Sequence, residues 1–497
     1  MLPFPDYEQH DALALAELLR TRHCTPGELL EAAIARVEAY NPALNAVIHT
    51  LYDDARQRSA ASVATGPFAG VPFLLKDLTA AYAGAPLTAG SRAYQHYVPT
   101  QHSELVRRYL GAGFTIFGKT NTPELALMAV TEPQLHGPTR NPWDLTRTPG
   151  GSSGGAAAAV AAGMVPVAAA SDGGGSIRIP AAYCGLFGLK PSRGRNPVGP
   201  LKGEVWQGAS AEHVISRSVR DSAAVLDAVC GPGPGAPFRI EAPTGSYRAA
   251  AEQAPKRLRI GFSTAHPLGL TTDPACVAAV QGAAHLLESL GHEVVEVALP
   301  YDGKLVARTY MMLYFGEVGA EIEAMHHVLG RPATRHDVEP ATWLLGLLGR
   351  TYSAAEFVSA HRTWYPLTRA LDEFHATYDL LLTPTAAAPP VRIGELRQSP
   401  AEQRLLGLVN RLGLGRLMKR TGLAMQLAEK SLAKTPYTQI ANLTGRPAMS
   451  VPLHWTPDNL PIGVQFIGRF GAEDVLFKLA GQLEQAQPWF HKRPPAQ

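Results

Sequence analysis

Cysteine is scarce. The 497 residues hold four, Cys24, Cys184, Cys230 and Cys276, and no two of them form a C-x-x-C pair. This argues against a disulfide framework or a thiolate-held metal and suits a reducing, cytoplasmic compartment. Charge is sparse too: Asp, Glu, Lys and Arg make up 18% of the chain, against about 25% in an ordinary soluble domain, as expected of a large body with a deep core. The signs nearly cancel, 45 basic against 42 acidic residues, which leaves no field to attract nucleic acid or an anionic membrane. Long apolar runs are missing. The longest small-apolar stretch, "AAAAVAAGMVPVAAA" (156–170), is broken by Gly163 and Pro166 and is too short to span a bilayer. The opening "MLPFPDYEQHDALALAELL" has no basic segment leading into an apolar block, so no secretion signal is expected. No nucleic-acid or membrane partner is expected, and a homodimer stays open.

Glycine and proline are plentiful, 47 and 41, and predict many turns. Helical periodicity runs through 8–40 with a break at "TPGELL". From 66 onward, short apolar runs such as "GVPFLLKDL", "GFTIFGKT" and "MVPVAAA" alternate with helical segments near 103–111 and 219–229, an α/β pattern. A Pro/Gly-rich connection over 232–257 leads to a strand–helix–strand unit. A mostly helical stretch over 303–376, the strand "YDLLLTP", a hairpin near 448–467 and a last helix near 473–486 follow. The reading is one α/β domain over 1–497: N-terminal helices to 65, a core over 66–230, and a C-terminal half over 258–495. One or two amphipathic helices near 401–432 form an insertion in that half.

Three glycine-bearing stretches invite a chemical reading. "GFTIFGKT" (113–120) formally fits G-x-x-x-x-G-K-T, but its interior is strand-like and Pro123 follows, so a phosphate-cradling loop is not expected. "GGSSG" (150–154) fits G-x-S-x-G, yet the preceding "RNPWDLTRTP" cannot be the buried strand which that elbow requires. The third reading joins two stretches. "SSGGAAAAVAAG" predicts a helix capped by Ser153 and stopped at Gly163, and "MVPVAAA" predicts a returning strand. A helix of about eleven residues advances ~16 Å and a strand of about seven covers ~23 Å, so Ser152 and Ser176 can end near each other. The run "SDGGGS" can then present successive backbone N–H groups as a nest over Ser176. No histidine is placed as its base. Lys76, among apolar neighbours in "GVPFLLKDL", can serve if burial lowers its proton affinity; a plain ion pair with Asp77 is the bland alternative.

These stretches together, "PGGSSGGAAAAVAAG…SDGGGSIRIPAAYCGLFGLKPSRGR", resemble the amidase signature family, and "GKTNTPE", "TRNPWDL" and "LTGRPAMSVPL…LPIGVQFIGR" extend the resemblance over most of the chain. The resemblance implies a large mixed twisted sheet covered by helices on both faces, and C–N bond hydrolysis through an acyl-enzyme with no cofactor or metal. It implies Ser176 as nucleophile, Lys76 as base acting through Ser152 in a cis peptide, and an oxyanion hole from the N–H groups of Gly173, Gly174, Gly175 and Ser176. Ser176 follows Ser152 by 24 residues, the family's usual spacing; Gly173 departs from it, since a bulkier residue is usual there. Overall the chain is similar to family members that hydrolyse 6-aminohexanoate cyclic dimer and to others that cleave urethanes.

The resemblance also places Leu127, Met128 and Ala129, in "ELALMAVTEP", where relatives line the acyl pocket. Leu127 stands where the cyclic-dimer hydrolases carry an asparagine, which favours bulky apolar or aryl amides and carbamates over that dimer. Arg195, in the loop after the glycines, is a candidate to face substrate, and the 401–432 helices with the "TAAAPP" loop are candidates for the rim. Two other readings stand beside this one: a glutamine-hydrolysing subunit of a transamidation complex, and a binding protein on a retired enzyme scaffold.

Overall fold

The protein is described by a computed structural model covering Phe4 and residues 6–61 and 65–495. Its centre is an eleven-stranded sheet. In chain order the strands are β1 (Val47–Thr50), β2 (Pro72–Lys76), β3 (Thr115–Thr120), β4 (Val167–Asp172), β5 (Phe187–Lys190), β6 (Ala211–Ser216), β7 (Arg259–Phe262), β8 (Glu293–Glu296), β9 (Leu380–Pro384), β10 (Ala448–Trp455) and β11 (Pro461–Ile467). They lie in the order β1-β3-β2-β4-β6-β5-β10-β11-β9-β7-β8. Pairs β2–β3, β2–β4, β7–β8 and β7–β9 are parallel, and the rest antiparallel. The sheet is therefore mixed, and strands β2 through β6 are buried along their whole length, as strands covered on both faces must be.

Local chemistry sets the helix ends. Thr25 and Glu28 form a reciprocal capping box ahead of Pro26–Leu44, with Pro26 in the first turn, where its missing N–H costs nothing. The eight residues of Gly154–Ala161 are all buried against Leu29, Ala33, Phe73 and the β4 alanines in the core on one side of the sheet. A second core, around Phe187, Val464, Phe466 and Phe477, lies beneath the last helix, Glu473–Ala486. A third, around Tyr310, Trp364 and Leu371, is built on the long helix Gly303–Ala324.

Three local expectations change. The first 65 residues contribute a strand as well as helices, because β1 pairs antiparallel with β3. The 401–432 insertion is three helices, Pro400–Leu412, Gly415–Arg420 and Leu423–Leu432, separated by short turns. Ser153 precedes Gly154–Ala161 but makes no side-chain cap. Its hydroxyl instead donates to the Ser171 carbonyl at 3.2 Å and accepts from the Ser171 N–H at 3.3 Å, so it clamps the helix start to β4. Among the described residues no helix is long and apolar enough to cross a membrane.

Candidate active site

Lys76 is the last residue of β2, and the parallel register of β2 with β4, Leu74 opposite Ala168, carries it towards the C-terminal end of β4. There its Nζ lies 2.7 Å from Ser152 Oγ and 2.8 Å from Ser171 Oγ, all three side chains being buried. The neighbouring Asp77 belongs to the other face of the strand. It takes the Lys119 ammonium at 3.2 Å and the Thr88 N–H at 3.0 Å. The bland pairing of Lys76 with Asp77 is thus replaced by Lys119, and Lys76 has no carboxylate within salt-bridge distance among the described residues.

Burial pushes the proton affinity of Lys76 down from the ordinary lysine range, while the charges of Glu212 and Asp172 pull the other way. Of these two, Asp172 is committed elsewhere. It holds Arg178 through both carboxylate oxygens, at 2.8 and 2.9 Å, with both side chains fully buried. Burial raises the Asp172 carboxyl, but Arg178 together with Lys190 and the Asn442 amide outweighs it, and the net shift is well below the usual range.

The glycine run turns directly off β4. Asp172 Oδ1 accepts the Gly175 N–H at 2.7 Å, so that donor is occupied by the loop's own brace. The N–H groups of Gly173, Gly174 and Ser176 have no acceptor among the described residues. Two of the glycines are required by their surroundings. Gly175 has φ +128°, and a Cβ on Gly174 would lie 1.9 Å from Tyr310 Oη. A Cβ on Gly173 would meet the Trp206 ring at 3.5 Å and Ser210 Oγ at 3.8 Å, ordinary contacts, so the glycine at this departing position leaves room beside Trp206. Thr438 Oγ1 donates to the Gly174 carbonyl at 2.5 Å and secures the loop from the C-terminal half.

Ser152, Ser171, Gly173, Gly174 and Ser176 line one cavity. Its lining includes the apolar side chains of Leu78, Leu125, Leu127, Val318 and Trp206. Glu204, Glu317 and Glu321 line it too, with Lys202, which pairs to Glu321 at 2.5 Å. The peptide between Gly151 and Ser152 is cis, and the Ser153 N–H donates to the Ser176 carbonyl at 3.3 Å, tying the two serine segments together. Such a cavity can receive a carbonyl oxygen on free N–H groups beside two hydroxyls and a buried amine, which is the equipment of acyl transfer.

The pocket expectations divide. Leu127 lines the cavity, its carbonyl fixed by the Tyr314 hydroxyl at 2.5 Å. Met128 and Ala129 are not among the lining residues: Met128 is 41% exposed, and Ala129 packs against Ile179, Ala182, Tyr183 and Ala386. Arg195 is not among the residues lining this cavity. It is buried against Glu473, with nitrogen–oxygen distances of 3.2 and 3.3 Å, and donates to the Glu241 carbonyl at 2.6 Å. No described residue of 401–432 or of the "TAAAPP" loop lines the cavity either; that wall comes from Gly303–Ala324, through Tyr310, Glu317, Val318 and Glu321. Sequence reasoning passed over Ser171, although it lies five residues before Ser176 in the same stretch, and Tyr310, for which the local sequence carries no signal.

The fold and the chemistry of the cavity define an enzyme of acyl transfer to water, and comparison with known proteins agrees. The chain belongs to the amidase family, whose model matches residues 28–477, and it is an amidase signature hydrolase acting on amide C–N bonds. Among its relatives is a 6-aminohexanoate-cyclic-dimer hydrolase of Pseudomonas sp. (strain NK87), 39% identical over 97% of this chain and 96% of the relative. A solved 6-aminohexanoate cyclic dimer hydrolase complexed with substrate superimposes with a TM-score of 0.88 at 38% identity, covering 98% of this chain and 99% of that one. A bacterial aryl acylamidase of the amidase signature family gives a TM-score of 0.82 at 27% identity, covering 97% of both chains.

Proposed function

We propose that this amidase is a serine amidohydrolase working through Ser176, Ser152 and Lys76, on small apolar or aryl amides and carbamates. Ser176 Oγ attacks the substrate carbonyl carbon. Its proton passes to Ser152 Oγ as the Ser152 proton passes to the neutral Lys76 amine. The carbonyl oxygen, now negative, is held by the N–H groups of Gly173, Gly174 and Ser176, each good donor being worth about 3–4 kcal/mol to the transition state. Lys76 then returns its proton through Ser152 to the leaving nitrogen as the C–N bond breaks, and water releases the acyl group from Ser176 by the same steps. The 2.7 Å contact of Lys76 Nζ with Ser152 Oγ, in a cavity that Ser176 also lines, carries this reading.

The apolar lining with Leu127 supports the substrate class. So does the likeness to an aryl acylamidase. A cyclic or linear 6-aminohexanoate oligomer is the second reading, favoured by 39% identity to a hydrolase of the cyclic dimer. A free amino acid such as glutamine fits less well. Of the residues lining the cavity, the cations are limited to Lys202, already paired to Glu321, which leaves no partner for an α-carboxylate.

The test is a panel of anilides, aryl carbamates, aliphatic amides and the cyclic dimer, run beside labelling with a serine-directed fluorophosphonate mapped by mass spectrometry. Label on Ser176 with turnover of anilides or carbamates is expected. Turnover of the cyclic dimer alone selects the second reading, and no label on Ser176 refutes the mechanism.

A further inference from the structure

Behind the Lys76 amine lies a buried carboxyl that no step above uses. Glu212 sits in β6 directly opposite Ser171 of β4, and Ser171 Oγ is the second contact of Lys76 Nζ. Its side chain is buried, and Oε1 lies 2.8 Å from the Thr79 hydroxyl, which shares its hydrogen with the Leu78 carbonyl at 2.6 Å. Thr79 has φ +59°, a conformation a β-branched residue adopts only when its surroundings impose it, and it lines the cavity beside Ser171 and Ser152. A carboxyl is thus anchored on the strand position facing Ser171, the second contact of Lys76, without a cation within 4 Å among the described residues.

We propose that Glu212 is a positioning residue for the Lys76 base: held by Thr79 beside Ser171, it balances the charge of the buried amine and so sets the pH at which Lys76 becomes available to Ser152. The inference rests on Lys76 acting as the base.

The charges around the pair leave Glu212 as the deciding one. Lys76 feels Glu212 and Asp172, but Asp172 is spent on Arg178 at 2.8 Å and also feels Lys190. On the other side, Glu212 faces Lys76, the Thr79 hydroxyl and the buried Tyr109 phenol. Burial pushes the Glu212 carboxyl up, opposed by Thr79 and by Lys76, as burial pushes Lys76 down. The two groups therefore favour each other's charged forms against a common desolvation. An ionised Glu212 holds a proton on Lys76; a neutral isostere lets that proton go at lower pH.

The test is the pH dependence of fluorophosphonate acylation at Ser176 in the full chain, parent against Glu212→Gln, which keeps an acceptor for Thr79. The parent is expected to lose reactivity towards acid. In Glu212→Gln that acid limb moves down by about one pH unit, the lower end of the effect of removing an opposite charge nearby. Glu212→Asp, which restores the charge, returns the limb towards the parent's. An unmoved limb in Glu212→Gln, or an equal displacement in Glu212→Asp, overturns the proposal while leaving the Lys76 mechanism standing; a parent with no reactive Ser176 overturns both. If Glu212→Gln does not fold, Lys76→Met reads the same coupling from its partner. The Glu212 carboxyl, followed by infrared titration, is expected to protonate at higher pH, and an unmoved titration overturns the proposal.

Discussion

The main-chain N–H of Ser153 donates to the carbonyl of Ser176 at 3.3 Å. A helix, a turn and a whole strand separate the two residues in sequence, and this bond, with the two Ser153–Ser171 contacts, holds both serine segments against the end of β4.

Removing the Ser176 hydroxyl is expected to abolish turnover. Ser176→Ala should lower kcat by at least about 10⁴-fold, in line with the loss of a nucleophile in other serine hydrolases, with unchanged near-ultraviolet circular dichroism. Lys76→Ala should cost nearly as much. Residual turnover in Ser176→Ala within tenfold of the parent would refute the assignment.

Activity should fall towards acid. The working form of Lys76 is uncharged, and burial lowers its proton affinity, so the amine is free well below the pH at which an exposed lysine loses its proton, about 10.4. As pH drops through the Lys76 titration the amine is protonated and kcat/KM declines with unit slope. Lys76→Arg, charged at every accessible pH, should show no alkaline recovery. A kcat/KM profile rising towards acid would contradict the sign.

The glycine run should discriminate between its members. Gly174→Ala would put a methyl 1.9 Å from Tyr310 Oη and should reduce kcat by a hundredfold or more as the loop's N–H groups shift. Gly173→Ala meets only ordinary contacts, the Trp206 ring at 3.5 Å and Ser210 Oγ at 3.8 Å. It should cost under about 1 kcal/mol in stability, leave kcat for a small anilide near the parent's, and raise KM for bulky substrates.

Arg178 and Arg195 should behave as structure, not as substrate anchors. Arg178→Met leaves Asp172 buried and unpaired, a loss of about 3–5 kcal/mol visible as a large fall in Tm. Asp172 is a carboxyl whose folded affinity for protons is lowered, so its contribution is present above the unfolded carboxyl titration and is lost as pH falls through the folded one. Arg195→Met should lower Tm as well, since Glu473 loses its partner, yet leave KM unchanged. A raised KM at full stability would return Arg195 to the substrate path.

Much of the site is legible because its chemistry is local. "SDGGGS" and "GGSSG" declare loops that need backbone freedom, and "GVPFLLKDL" declares a strand buried on both faces with a lysine at its end. The approach of the two serine stretches follows from one helix and one returning strand. What the sequence leaves unread depends on partners far along the chain. Arg195 looks like a free loop cation until Glu473 is known to meet it 278 residues later. Part of the cavity lining, Tyr310, Glu317, Val318 and Glu321, comes from Gly303–Ala324, which the sequence marks only as part of a mostly helical stretch. Glu212 reads as a strand charge until the register with Ser171 is known.

The brace of Thr438 on the Gly174 carbonyl and the Tyr310 ring packed against the same glycine bear on the life of the protein before release from the ribosome. Everything that performs the proposed bond cleavage has been synthesised by residue 176, yet the parts that shape the loop emerge 134 and 262 residues later. Hydrolytic competence is therefore expected to wait until Thr438 has emerged, and a product terminated before it would carry the proposed reactive groups without the brace on their loop.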